Sequence, residues 1–527
     1  MSVKEMKSGA THNEYAGTAD AALAQLGQNI VETERGLSVV ANARKHWRVL
    51  LISCVTLTSA AIFGFDVVVN GASISMPAFL LYFGDKGPKG LYLPSVWSSL
   101  WTAMSSLTQA IGAIICGWVI DKLGRKWPAS FSAGLTLAGT AVQYTATTRP
   151  GLMAGKMVSG FGIGAVVAIA TTYIGEIAPL RLRAPLQTVL VMSIIFIQGA
   201  ALGCIRAYVP NIHETSFRHV FAIQWAFGGI AVICWALAPE SPVYLAKRGK
   251  IEAARKAMTR IYGQQNSPNE RLEYVIRTLE EERQIEQGGT YLSCLKGQEL
   301  KRTLTVAFLY STANIGGAAL LNQNIYVLII AGLAPIHAFD IGIGGFGLAI
   351  LIMCSSGLYL KKISRRTTVF LGLILNLIIM VVIGALYYAH GQGPLWAIAA
   401  LMNLLISLQT ATLSGAGWPI AAEIPSYRLR AKTLSIGIFA QTLSTWIFLF
   451  TTPYMYNVDS GNLGTRTGFV YAGATVLMLV IAWIIVPDTT GMTTEEIDNA
   501  YEAKLAPRKF QQFKSSTNVP SSLNPDN

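Results

Sequence analysis

Long apolar runs alternate with short polar breaks along most of the chain. Runs of about 18 to 25 residues, each able to cross a hydrocarbon core of roughly 30 Å as a helix, begin near Val49, Val96, Trp127, Leu152, Leu186, Phe221, Thr303, Gly342, Thr367, Trp396, Leu434 and Gly468. The pattern predicts twelve membrane-spanning helices, with only the stretch TTRPG between the third and the fourth. One break is long. From Pro239 to Arg302 the chain is polar, and IEAARKAMTRIY and ERLEYVIRTLEEERQIEQ within it carry a helical repeat. The insert divides the chain into a polar N-terminal tail (1–47), a first bundle (48–238), the helical insert (239–302), a second bundle (303–487) and a C-terminal tail (488–527). SSTNVPSSLNPDN at the end of that tail has the composition of a disordered segment. The expected fold class is an all-α membrane protein: twelve transmembrane helices in two six-helix bundles.

Composition sharpens this picture. Of the 527 residues 52% are hydrophobic and 13% charged, where a soluble surface needs about 25% charged. The first 47 residues hold no short apolar run before a small-residue cleavage site, so the first span is expected to insert directly. A net charge of +13 raises the possibility of nucleic acid, but no basic stripe with interleaved aromatics occurs. The basic residues sit between spans instead. DKLGRK (121–126), RLR (181–183), KKISRR (361–366) and RLRAK (428–432) hold twelve Lys and Arg, and the short loops on the other side hold about half as many. By the positive-inside rule those loops, the insert and both termini are cytoplasmic. The six cysteines form no CxxC pair and read as packing residues. No nucleophile with a neighbouring base, metal cluster or phosphate-cradling loop appears, so neither an enzyme nor a cofactor is expected. GFGIG in the fourth span reads as close helix packing.

The two halves repeat their internal order. DKLGRK follows span 2 and KKISRR follows span 8; GEIAPLRLRA follows span 4 and AEIPSYRLRA follows span 10. Repeated halves are how many transporters build a midplane site between two rocking units. GWVIDKLGRK, GEIAPLRLRA, PESPVYL, AAEIPSYRLRAKT and PDTTGMTTEEID, five motifs in order, resemble the sugar porter branch of the major facilitator superfamily over roughly Val49 to Asp498. Within that branch FGFDVVVNGASISMPAFLLYFG, EIPSYRLRAKT and TTPYMYN look like the fungal maltose and α-glucoside permeases more than the hexose facilitators. The resemblance implies the major facilitator fold, and a cytoplasmic bundle formed by PESPVYL and the helices up to Arg302. The bland alternative for that insert is a solvated linker.

Asp121, Arg125 and Lys126 stand at the membrane face, and Glu176 with Arg183, like Glu423 with Arg430, is seven residues apart across a helix end and its loop. Together with Glu240 these residues are candidates for a cytoplasmic gate, because ion pairs between helix ends have modest energy and specific geometry. Topology determinants are the plainer reading. The second half departs from the family pattern, with Lys361 where an acid is usual and Ser364 where Gly is usual, and Val243 replaces the usual Arg in PESPVYL.

Asp66 lies inside an otherwise apolar span. A carboxylate near a helix centre costs roughly 2.5 to 3.5 kcal/mol on insertion scales and normally faces a bundle interior or water cavity. The resemblance pairs it with a base in span 4, here Lys156, as the proton-coupling pair; a static Asp66 capping a broken helix near Gly64 and Gly71 is the alternative. For substrate, the resemblance implies Trp418 and Gln198. Yet Val191, Thr312, Ala313, Phe439 and Thr442 stand where the family carries amides. Asn322, Gln323 and Asn324 are consecutive and would fan through about 200° of helix, so with Asn314 they form either a repositioned polar site or interhelical polar glue. Gln409 and Gln441 leave the same choice.

The expected function is a monomeric secondary transporter in the plasma membrane, taking up a sugar or α-glucoside together with protons. A transporter of a non-sugar metabolite, including an exporter, is the second reading, and a non-transporting nutrient sensor the third.

Overall fold

The computed structural model describes residues 22–87, 90–286, 290–359, 363–426 and 429–511. Each predicted apolar run lies on a long helix: α1 (Trp47–Ala72), α2 (Ser95–Leu123), α3 (Lys126–Thr145), α4 (Arg149–Ile177), α5 (Leu180–Tyr208), α6 (Thr215–Leu237), α7 (Gly297–Asn322), α8 (Pro335–Tyr359), α9 (Arg365–Leu386), α10 (Gln392–Glu423), α11 (Arg430–Tyr456) and α12 (Thr467–Ile485). Among the described residues eleven of these are long and apolar enough to cross a membrane. The remaining one, α3, is more polar, and the structure shows where its polarity goes. Ser130, Ser132, Thr136, Thr140 and Gln143 are all buried, Ser130 Oγ donates to Val232 O at 3.0 Å and Thr140 Oγ1 reaches Gln224 Oε1 at 3.4 Å. Packed against α4 and α6, α3 turns these groups inward, where Ser130, Thr136 and Thr140 find acceptors.

Small residues set the closeness of the first bundle. A Cβ on Gly160, Gly162 or Gly164 of α4 would stand 2.7 Å from Ser105 O, 2.5 Å from Ser132 O and 1.8 Å from Gln109 O respectively. The GFGIG run is therefore a seam against α2 and α3. Thr148 caps the start of α4 by accepting the Gly151 N–H, and Ser364 caps α9 by accepting that of Thr367. Between α1 and α2 an antiparallel ribbon pairs Asp85–Gly87 with Gly90–Tyr92, a small exception to the all-helical expectation.

The helices form two groups, α1–α6 and α7–α12, which meet where α2 packs on α11 and α5 on α8. The insert forms helices Pro242–Lys247, Ile251–Tyr262 and Pro268–Glu286 on one end of the first group, called here the insert end. Tyr244 Oη donates to Lys122 O at 2.9 Å and Tyr262 Oη to Ile177 O at 2.9 Å. The insert is thus docked rather than a solvated linker.

The N-terminal segment is likewise more than a polar tail. Residues 22–36 are helical, a second helix spans Val39–Lys45, and Glu34 is buried between them and the insert. Its carboxylate meets Arg271 at 2.5 Å, Lys45 at 2.8 Å and His46 at 2.8 Å. Burial opposes ionisation, but these donors prevail and hold the Glu34 carboxyl well below the usual carboxylate range. After α12, a capping box at Thr493 and Glu496 starts helix Thr494–Glu502, and Arg302 Nη1 donates to Asp498, holding this segment to the second group. Lys361, Arg428 and the stretch SSTNVPSSLNPDN lie outside the described residues.

Candidate functional site

A cavity of about 430 Å³ opens between the two groups, walled by α1, α2, α5, α7, α8, α10 and α11. None of the described residues lining it is charged; amides and hydroxyls supply its polarity and Phe63 and Phe346 its aromatic faces. The amides come from seven positions, Asn70, Gln109, Gln198, Asn322, Gln323, Asn324 and Asn403. Such a lining fits an uncharged solute that presents both hydrogen-bonding groups and apolar surface.

A break in α7 brings three of those amides to the wall. Gly317 adopts φ 101°, a conformation open to glycine, inside a π-helical turn at Asn314–Ala318. The turn leaves the Gly316 carbonyl free to accept from elsewhere. Asn376 Nδ2 donates to it at 3.2 Å and Gln409 Nε2 at 3.0 Å, and the two amides bond each other at 2.7 Å. Gln409 is polar glue. A second interruption follows at Gln323 (φ −104°, ψ 20°), before helix Asn324–Ile330. The consecutive amides do not fan around one continuous helix: with the chain turning at Gln323, all three line the cavity. Asn324 Nδ2 reaches Asn403 Oδ1 at 3.2 Å, and Tyr456 Oη donates to Gln323 Oε1, leaving Gln323 Nε2 buried without a partner among the described residues.

Gln198, Asn322 and Gln323 therefore meet in one cavity, whereas Asn314 and Trp418 are outside it. Asn314 Nδ2 is spent on α11, on Ser444 Oγ at 3.0 Å and Thr445 Oγ1 at 2.8 Å. Trp418 rests against Tyr310 with ring centroids 5.6 Å apart and is 44% exposed. Asn70, Gln109 and Asn403 escaped the sequence reading, although a lone amide within an apolar run was the available signal for Asn70 and Asn403.

Asp66 and Lys156 are each 1% exposed, and among the described residues no direct ion pair joins them. Asn70, one helical turn after Asp66, stands between them. Its Nδ2 donates to Asp66 Oδ2 at 2.6 Å, and its Oδ1 accepts from Lys156 Nζ. Asp66 Oδ1 is buried with no partner among the described residues.

At the insert end the expected acid–base pairs are redistributed. Glu176 bonds Arg125 Nη2 at 2.5 Å rather than Arg183, whose Nε donates to Ala178 O at 3.2 Å. Glu423 pairs with Arg365 and accepts from Thr489 Oγ1 at 2.9 Å, while Arg430 begins α11 exposed. Seven residues along the chain was the wrong metric: Arg125 follows α2 and reaches Glu176 because α2 and α4 lie side by side. Asp121, largely exposed, is 3.8 Å from Arg125. Glu240 accepts the Arg125 N–H at 2.8 Å and that of Ser241 at 2.9 Å, a carboxylate at the N-terminus of α3. Each of these pairs lies within one group.

Among the described residues the hydrogen bonds from group to group gather at the opposite, far end. Ser95 N–H donates to Asp459 Oδ2 at 2.8 Å, and Ser95 Oγ donates to the other oxygen. Tyr326 Oη accepts the Leu93 N–H at 2.8 Å, and Arg206 Nε meets Asp340 Oδ1 at 2.8 Å. The far end is fastened across the groups.

A sequence profile of the family described as "Sugar (and other) transporter" matches residues 51–501. The chain is 40% identical over 505 residues to the MFS transporter fmqE of Aspergillus fumigatus, covering 94% of this chain and 95% of that one. It is 26% identical over 488 residues to the general alpha-glucoside permease of Saccharomyces cerevisiae, covering 90% and 79%. Its fold matches the inward open xylose transporter XylE of E. coli with a TM-score of 0.68 at 20% identity, over 86% of this chain and 99% of that one.

Proposed function

Because the chain belongs to the sugar (and other) transporter family and is a multi-pass membrane transporter rather than an enzyme, we propose that it moves an uncharged solute through the central cavity by alternating access, coupled to a proton carried on Asp66. The observation that carries the reading is the juxtaposition of an uncharged, amide-lined cavity between two groups of helices with a buried carboxylate and ammonium behind one wall. Opening and closing at either end while the cavity stays central is the motion such a pair of groups supports. In this reading the insert end faces the cytoplasm, the protein sits in the plasma membrane, and the far-end contacts hold an inward-facing state.

A sugar or glycoside is the first substrate class. Amides bond hydroxyl groups on both donor and acceptor sides, and the named α-glucoside permease is a relative. The position of Trp418 outside the cavity favours a second reading, a neutral metabolite other than a sugar, moved inward or outward. Counter-flow in liposomes with a panel of glycosides and uncharged ring metabolites separates the two.

The coupling has its own test. Asp66→Asn keeps the size of the side chain and cannot titrate, so accumulation driven by a pH gradient should vanish while exchange without a gradient persists. Continued accumulation against the solute gradient by Asp66→Asn removes the proton from this carboxylate. Loss of exchange and folding together makes Asp66 structural.

A further inference from the structure

We propose that Asn70 is a positioning residue that links the proton site to the transport cavity: it holds Asp66 and Lys156 apart, takes a hydrogen bond from one, gives one to the other, and forms part of the cavity wall. The inference rests on the proposed proton-carrying role of Asp66 and adds the path by which the solute senses that proton.

The geometry is specific. Asp66 and Lys156 do not line the cavity, whereas Asn70 does. An amide between a cation and an anion has one orientation that satisfies both, with the carbonyl toward the ammonium and the NH2 toward the carboxylate. That is the orientation found, with Asn70 Oδ1 accepting from Lys156 and Nδ2 donating to Asp66 Oδ2. Asn70 reaches Asp66 because side chains four residues apart share a helix face. Around this stretch α4 supplies one charge, Lys156, its others, Arg149 and Glu176, lying at its ends; the acidic and basic side chains of the other packed helices also sit near their ends, Asp121 and Lys122 on α2, Arg181, Arg183 and Arg206 on α5, Arg218 and His219 on α6. The state of Asp66 is thus reported through one amide.

Protonation changes what Asp66 asks of that amide. An ionised carboxylate accepts a charge-assisted hydrogen bond, roughly twice as strong as a neutral one. Once protonated it holds Asn70 less firmly, and the NH2 is released toward solute in the cavity. A solute bonded to Asn70 draws the donor from Asp66, which favours the proton in turn. Linkage makes the two effects equal, so proton and solute promote each other's binding.

The test follows the Asp66 carboxyl by infrared titration of the full chain in lipid, with the proton as the probe and no solute needed. The C=O band absent from Asp66→Asn identifies the group. In Asn70→Leu, similar in size without hydrogen-bonding groups, the ionised form loses its donor and the band should titrate at higher pH by about one unit. Asn70→Gln, which keeps the amide, should restore the original midpoint. An Asn70→Leu titration that coincides with that of the unaltered protein overturns the relay, as does a midpoint that Asn70→Gln leaves as displaced as Asn70→Leu. If no band is lost in Asp66→Asn, the proton-carrying reading itself fails, a result distinct from the failure of Asn70 alone.

Discussion

Residues in this transporter are read best by what each polar atom bonds. Gln198 and Gln323 sit in the cavity wall, and Gln323 keeps a buried NH2 without a partner. A buried donor left unmade costs about 1 to 3 kcal/mol, so a solute that offers it an acceptor recovers that cost on binding. Replacing Gln323 by Leu should raise the half-saturation concentration for an exchanged solute about tenfold, since roughly 1.4 kcal/mol is one decade. Trp418→Ala should change it less than twofold, because that ring lies on Tyr310 outside the cavity. Exchange assays across a concentration series decide between them, and the reverse ranking would mean that the site lies near Trp418. The family pattern pointed to Trp418 because an aromatic ring at a known position is visible in a sequence. Which side of the helix faces the cavity depends on the neighbours and is not.

At the scale of elements, hydrocarbon made the helices legible. A span must be about 20 residues long and apolar enough to cross, so all twelve runs were countable without any knowledge of contacts. The breaks were not countable in the same way. The π turn of α7 persists because Asn376 on α9 and Gln409 on α10 bond the carbonyl it frees, partners 60 and 93 residues away. The N-terminal helices escaped for the same reason, since their anchor Glu34 meets Arg271, 237 residues on. That anchor has a pH signature. The folded-state carboxyl lies below its unfolded value, so its stabilisation is complete above the ordinary Glu range near 4.3. It is lost as pH falls below that range toward the folded value. Glu34→Gln should remove it at neutral pH, freeing the N-terminal helices at a cost of about 3 kcal/mol for stranding buried partners. Limited proteolysis at Arg35 or Arg44 should then proceed at pH 7 in the variant while the unaltered protein resists. Equal resistance of the two proteins would show that other contacts hold the segment.

For the whole molecule the question is how two groups of helices take turns at opening. Local ion pairs at the insert end, Arg125 with Glu176 and Arg365 with Glu423, belong to one group each and do not oppose separation there. The far end is different, because Ser95 of α2 and Asp459 beyond α11 bond directly across the groups. A part-buried hydrogen bond to a carboxylate is worth roughly 1.5 to 3 kcal/mol, strong enough to bias one state and weak enough to reverse. The proposed alternation requires the contact to break in each cycle. Cysteines at both positions, Ser95→Cys with Asp459→Cys, in a chain whose six native cysteines are replaced, place two thiols where hydrogen-bonded side chains now meet. Oxidation should join the groups at the far end and stop exchange, and reduction should restore it. A protease site in the insert gives the control, because the cleaved halves then run together on a gel only while the disulfide is intact. Exchange that continues at its original rate in fully cross-linked protein would mean that the far end need not part, and that solute passes by a route other than alternation of these two groups.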